Sequence, residues 1–209
     1  MKSILSLTLT AVFILGAEAA EPVHRAKIVA IKGESQQAPE YQISGPRDKS
    51  TKTRYWIEIE AEVEVQTTDP SGFIPSLEAK WYAVVMDNSK KPSAVPVRLI
   101  GTSRYKNINA KDGNIFLSAY IEPDTIERLT GQKKPRENDI EGYALVLSGP
   151  GIVTEGKHGK GLTKATAEKE SNWWETWNRV TLEKMIVPKS RTPFAPLWTS
   201  RYPTEELER

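Results

Sequence analysis

The 209-residue chain contains no cysteine. That absence excludes disulfide staples, a thiolate nucleophile and cysteine-ligated zinc. Histidine is nearly as scarce, with only His24 and His158, far apart in sequence. Two such residues make no zinc-ligand motif, and they leave a Ser–His hydrolase few bases to choose from. No Gly-x-Ser-x-Gly elbow and no Gly-x-x-x-x-Gly-Lys-Ser/Thr phosphate loop occurs. Charge of one sign is also missing: 29 Lys and Arg against 27 Asp and Glu give a net charge of +2. A balance that close argues against nucleic acid or an anionic membrane as partner. After residue 16 no apolar run approaches the roughly 20 residues of a spanning helix.

What is present begins at the N-terminus. Lys2 provides a positive start, residues 4–16 an apolar stretch, and Ala17-Glu18-Ala19 a small-residue cleavage motif. Residues 1–19 therefore read as a signal peptide, and the protein as exported to the periplasm or cell surface. A lipoprotein would need a cysteine at the cleavage point. A type IV prepilin would be cut before its apolar segment, whereas Gly16 follows it. The remaining ~190 residues suffice for a large core without bridges.

Period-two alternation dominates that remainder. Over residues 54–67, Tyr55, Ile57, Ile59, Ala61, Val63 and Val65 fall on one face and Glu58, Glu60, Glu62 and Glu64 on the other. A helix would scatter the four glutamates, whereas a strand collects them on one solvated face. Further strands are expected over 23–31, 77–86, 95–100, 114–122, 143–147 and 180–187, with a polar loop over 33–52. Asp112-Gly113 signals a hairpin turn. Residues 123–129 read as a short helix, with Pro123 at its start and Gly131 after it. Residues 155–170 form either a mobile loop or a short helix. Residues 191–209, with Pro193, Pro196 and Pro203, read as an extended C-terminal tail laid over the domain spanning 20–190.

About seven short strands at this spacing indicate an all-β fold, an antiparallel β-sandwich with short helical insertions. Trp81 on the third strand and the run Asp139-Ile140-Glu141-Gly142-Tyr143-Ala144-Leu145 resemble an immunoglobulin-like domain. Tyr143 takes the place of the tyrosine corner in that resemblance. Leu145, with Ile59 or Ala61, stands where that fold would have its cysteines, so packing replaces the bridge. The segments Asn172-Trp173-Trp174-Glu175-Thr176-Trp177 and Thr192-Pro193-Phe194-Ala195-Pro196-Leu197-Trp198, with the leader, look like a narrower group. The chain resembles small exported proteins encoded beside type IV pilus-like genes in verrucomicrobial mucin-degrading gut bacteria. The resemblance implies an immunoglobulin-like fold, a pilus association and no assigned catalysis. It carries no functional residues.

Candidate chemistry is thin. The glutamate row of 58–64 could form one wall of a glycosidase cleft, which needs two facing acids. A solvated strand face explains it better. Asp112 and Asn114 match the first ligands of a calcium loop, but Phe116 replaces the third oxygen. Lys157, Lys160 and Lys164, interleaved with Gly156, Gly159 and Gly161, read as solvated charge rather than a phosphate cradle. The candidate binding residues are Trp173, Trp174 and Trp177, which share a face in either a helix or a strand. Exposed, they would stack on sugar rings or fill a partner's pocket; buried, they would anchor the tail or close the sandwich. The expectation is a non-enzymatic binding or structural module of the envelope, without cofactor or metal. Its partners are envelope or pilus-locus proteins, with host glycans as the alternative.

Overall fold

The computed structural model describes residues 21–40, 54–90, 93–155, 159–160 and 173–206. The expected signal peptide of residues 1–19 and His158 lie outside these, as does most of the 155–170 segment. In chain order the elements are β1 (His24–Gln37), β2 (Tyr55–Thr67), β3 (Phe73–Asp87), β4 (Val95–Asn109), β5 (Asn114–Ile121), α1 (Pro123–Thr130), β6 (Ile140–Ser148), β7 (Ile152–Glu155), β8 (Gly159–Lys160), β9 (Thr181–Leu182) and β10 (Ile186–Pro188). They form two five-stranded sheets, ordered β10-β5-β2-β1-β7 and β8-β6-β3-β4-β9.

The inward face of β2, Ile57, Ile59, Ala61, Val63 and Val65, is almost wholly buried against the second sheet. That sheet contributes Leu77, Ala79, Trp81, Ala83 and Val85 from β3 and Leu145 and Leu147 from β6. The protein is an all-β, immunoglobulin-like sandwich. Strands β1, β2 and β5 face β6, β3 and β4, and α1 bridges β5 to β6, where that fold turns its E–F corner. Trp81 is fully buried, as are Ile59, Ala61 and Leu145. Apolar contact thus occupies the inter-sheet position that a disulfide fills in many relatives of the fold. Tyr143 crosses from β6 to lie against Gly33 of β1.

Several sequence expectations are corrected by this architecture. Among the described residues there are ten strands rather than about seven, and the sheets are mixed: β7 runs parallel to β1, and β9 parallel to β4. Strands of two to four residues leave no readable periodicity. β1 continues to Gln37, into the expected loop, and β4 continues to Asn109. The expected strand over 180–187 is two strands. β9 joins one sheet and β10 the other, reversing through Lys184 at φ 60°. Asp112-Gly113 makes no hairpin, because β4 pairs with β3 while β5 pairs with β2. The turn carries the chain between sheets, and Gly113 at φ 77° supplies the left-handed residue that either kind of reversal needs.

The crossing at β10 depends on a second glycine. A Cβ on Gly101 of β4 would fall 1.8 Å from the Ile186 carbonyl oxygen, far inside any non-bonded contact distance. Only glycine lets β10 approach β4 this closely while pairing with β5.

The C-terminal segment is a string of turns rather than an extended tail. Ala195 N–H bonds to Thr192 O at 3.1 Å, Leu197 N–H to Phe194 O at 2.9 Å and Arg201 N–H to Trp198 O at 3.0 Å. Proline fixes φ and removes a donor, which suits turns as well as extended chain. The segment then joins β4: Lys106 N–H bonds to Thr204 O and Glu206 N–H to Arg104 O. The Glu205 carboxylate accepts from the backbone N–H groups of Lys189 and Ser190, at 3.0 and 2.7 Å.

Candidate functional site

The outward face of β2 is where the sequence reading changes most. Trp56, Glu58, Glu60, Glu62 and Glu64 share that face, as expected. However, Glu58 and Glu60 are buried, at 7% and 9% exposure, while Glu62 and Glu64 are half-buried. The row is a solvated face only at its far end. Its near end is roofed by the C-terminal segment.

The roof is aromatic at one side and charged at the other. Phe194 stacks on Tyr120 of β5, with centroids 5.0 Å apart and planes at 12°, and meets Trp56 edge-on at 6.1 Å. Trp198 stacks on Phe194 in turn, at 6.2 Å and 13°. Beside this column Arg201 reaches down to Glu60, with Nε 2.8 Å from Oε2 and Nη2 2.9 Å from Oε1. Its guanidinium lies 3.8 Å from the Phe116 ring centroid. This combines a bidentate fork with cation–π stacking, which lysine does not reproduce.

Two tyrosines complete the polar layer. Tyr120 donates its hydroxyl to Glu58 Oε1 at 2.5 Å. The Tyr202 hydroxyl lies 2.6 Å from Glu60 Oε2 and 3.1 Å from Glu58 Oε1. It has one proton to give, and the shorter contact directs it to Glu60. Lys32 of β1 lies 3.2 Å from Glu34 and 3.5 Å from Glu60.

The electrostatics follow from these contacts. Burial pushes Glu60 upward, but the bonds from Arg201 and Tyr202 and the charges of Arg201 and Lys32 outweigh it. Glu60 is held below the ordinary carboxylate range. Burial, reinforced by the neighbouring carboxylates, pushes the Tyr120 and Tyr202 hydroxyls well above the ordinary phenol range. Buried Lys189, which donates to Ala195 O at 3.0 Å, is pulled down by desolvation. Lys32, Glu34, Gln36, Glu58, Trp198 and Tyr202 are among the residues lining a cavity of about 170 Å³ at the edge of this roof.

The residues singled out in the sequence lie elsewhere. Trp173 and Trp174 are buried at 3% and 4% exposure, and Trp177 is half-buried. They pack on Tyr82, Val84, Ile100 and Ala144, the outer face of the second sheet. Trp173 meets Trp174 and Trp177 edge-on, at 5.8 and 6.1 Å. Arg98 donates to the Trp174 carbonyl and lies over the Tyr82 ring. Of the two alternatives the sequence left open, Trp173 and Trp174 take the buried one: a sheet face rich in apolar side chains recruits the rings as its cover. His24 is buried, with Nδ1 2.7 Å from Thr67 Oγ1. Among the described residues no group of three or more His, Asp or Glu is placed to hold a metal ion.

Sequence reasoning missed the Glu58–Glu60–Arg201–Tyr202 assembly, yet a signal for it existed. Trp56 stands at the head of the glutamate row, and its neighbour β5 places Phe116 and Tyr120 on the same face, opposite Glu62 and Glu58. A face carrying three aromatic rings is not one that water covers.

In class the protein is an all-β, immunoglobulin-like sandwich whose buried Glu60 holds its own C-terminal segment through Arg201 and Tyr202. The chain belongs to the family it resembles, the exported, pilus-associated immunoglobulin-like proteins of verrucomicrobial mucin degraders, whose model matches residues 17–209. A crystal structure of a protein from Akkermansia muciniphila has the same fold, with TM-score 0.75 at 20% identity, over 90% of this chain and 96% of that one. No curated protein matches the chain. No helix among the described residues is long and apolar enough to cross a membrane.

Proposed function

We propose that this protein is a non-enzymatic structural module of the bacterial envelope, working in the periplasm or at the cell surface through contacts with pilus-locus proteins. The observation that carries this reading is the open edge of β1. Among the described residues β7 pairs only with His24–Lys27, so no strand pairs with the outer edge of residues 28–37. A free edge of that length accepts an added strand, with main-chain bonds giving affinity and alternate side chains giving selectivity. The bulge at Val29, which is 54% exposed, and the charges of Lys32 and Glu34 restrain unselective edge-to-edge pairing.

The buried acids favour the same reading over hydrolysis. Glu58 and Glu60 are neighbours on one strand and bonded to Tyr120, Arg201 and Tyr202. A glycosidase needs two acids facing each other across a cleft, with a sugar between them. Affinity capture of the tagged protein from envelope extracts tests the proposal. Enrichment of proteins encoded in the pilus-like locus is expected, with no turnover on a panel of glycosides and esters. A protein that captures none of them, or that turns over a glycoside, contradicts it.

A further inference from the structure

Trp198 is the one tryptophan of the C-terminal segment, and the fold presents it rather than hiding it. It is 43% exposed and is held at φ 52°, a conformation uncommon for a bulky residue. Its ring is braced by the column of Phe194 and Tyr120, so the platform is rigid. It lines the 170 Å³ cavity described above, whose other walls are polar. Those walls mix acceptors with donors. Glu34 and Glu58 accept, Lys32 donates, and the half-buried Gln36 amide does both. Glu58 is over nine-tenths buried; its Oε1 accepts from Tyr120 and lies 3.1 Å from the Tyr202 oxygen, and its Oε2 has no bond to a described residue.

We propose that this cavity is a saccharide subsite that holds one neutral pyranose ring against Trp198. The chemistry selects the class. A cation would suit Glu34 and Glu58 but be repelled by Lys32 and Arg201. An anion would meet the reverse. A pyranose has an apolar C–H face for the indole and a rim of hydroxyls that both donate and accept. The cavity has room for one ring rather than a chain, so affinity is expected to be weak, in the millimolar range. The cavity shares Lys32, Glu34 and Gln36 with the open-edge segment of β1, and Trp198, which lies outside that strand, separates a test of this site from a test of the assembly reading.

The test is titration of the isotope-labelled protein with methyl α-glucopyranoside, methyl β-galactopyranoside and the methyl glycoside of N-acetylglucosamine, read by amide and indole resonances and by saturation transfer to the sugar. The expected result is a saturable shift of the Trp198 indole N–H with at least one of them. It should weaken at least tenfold in Trp198→Ala and several-fold in Gln36→Leu, both of which should keep the wild-type spectrum elsewhere. No saturable shift with any of the three at tens of millimolar overturns the proposal. So does a response that survives Trp198→Ala, which would place the sugar elsewhere. A stronger response of the same indole to methylammonium or acetate overturns the choice of a neutral ligand.

Discussion

Arg201 grips Glu60 with two guanidinium nitrogens, at 2.8 and 2.9 Å, across 141 residues of sequence. Glu60 is an interior residue of a central strand, and Arg201 belongs to a turn of the C-terminal segment. This pair, with Tyr202, makes the C-terminal segment a third layer of the sandwich over part of its first sheet.

Removing Arg201 should therefore cost more than an ordinary surface ion pair. Breaking a buried pair costs about 3–5 kcal/mol, whereas exposed pairs contribute about 0–1 kcal/mol. The Arg201 side chain is 41% exposed and that of Glu60 11%, which places the pair between these limits. Arg201→Ala is expected to destabilise by about 2 kcal/mol in urea unfolding, and Arg201→Lys to recover less than half of that because the fork and ring contact are lost. A double-mutant cycle with Glu60→Gln should give coupling of about 1 kcal/mol or more.

The same pair predicts a pH dependence. The folded protein holds Glu60 below its ordinary value of 4.5, so its ionised form stabilises the fold above that value. Stability should be fully present at neutral pH and decline as pH falls below 4.5 toward the lowered folded value. Urea titrations at a series of pH values should show this slope reduced in Glu60→Gln.

The tryptophans should separate by accessibility. Trp173 and Trp174 are buried on the outer face of the second sheet, and Trp198 is exposed. Acrylamide quenching of single-Trp variants should be weak for the first two and strong for Trp198. Trp173→Ala or Trp174→Ala should cost about 3–5 kcal/mol, the range for truncating a buried aromatic.

Two glycines should respond to alanine for different reasons. At Gly101 the added methyl would strike the Ile186 backbone, so β10 must leave β4 or the sheet must shift. A loss of at least about 2 kcal/mol is expected, within the range for overpacking. At Gly113 nothing lies within 4 Å, and only the left-handed backbone objects. There about 1 kcal/mol is expected. Thermal melts of the two variants distinguish these costs.

The alternation of β2 and the helix at Pro123 were legible because each rests on a local rule, period two in one case and proline at N1 with glycine after the end in the other. The position of Trp81 was legible for a similar reason, as a bulky residue on an alternating strand. What escaped was everything decided by distant chain. Glu58 and Glu60 look like solvent residues until Arg201 and Tyr202 are placed over them. Strands β7 and β9 exist only because β1 and β4 offer edges. Trp173 and Trp174 could be weighed as exposed or buried, but only Tyr82 and Val84 on the outer face of β3 decide between the two. In each case the local sequence specified a face, and a partner more than 50 residues away specified what covers it.

The most direct test of the assembly reading is site-specific photo-cross-linking in cells from position 29, at the bulge on the open edge of β1. A control probe at position 180, where Val180 is 46% exposed close to β9 on the other sheet, reports on exposure alone. If β1 receives a partner strand, position 29 should give a discrete adduct with a protein encoded in the pilus-like locus, and position 180 should not. No adduct from position 29, or the same adducts from both positions, would contradict the account.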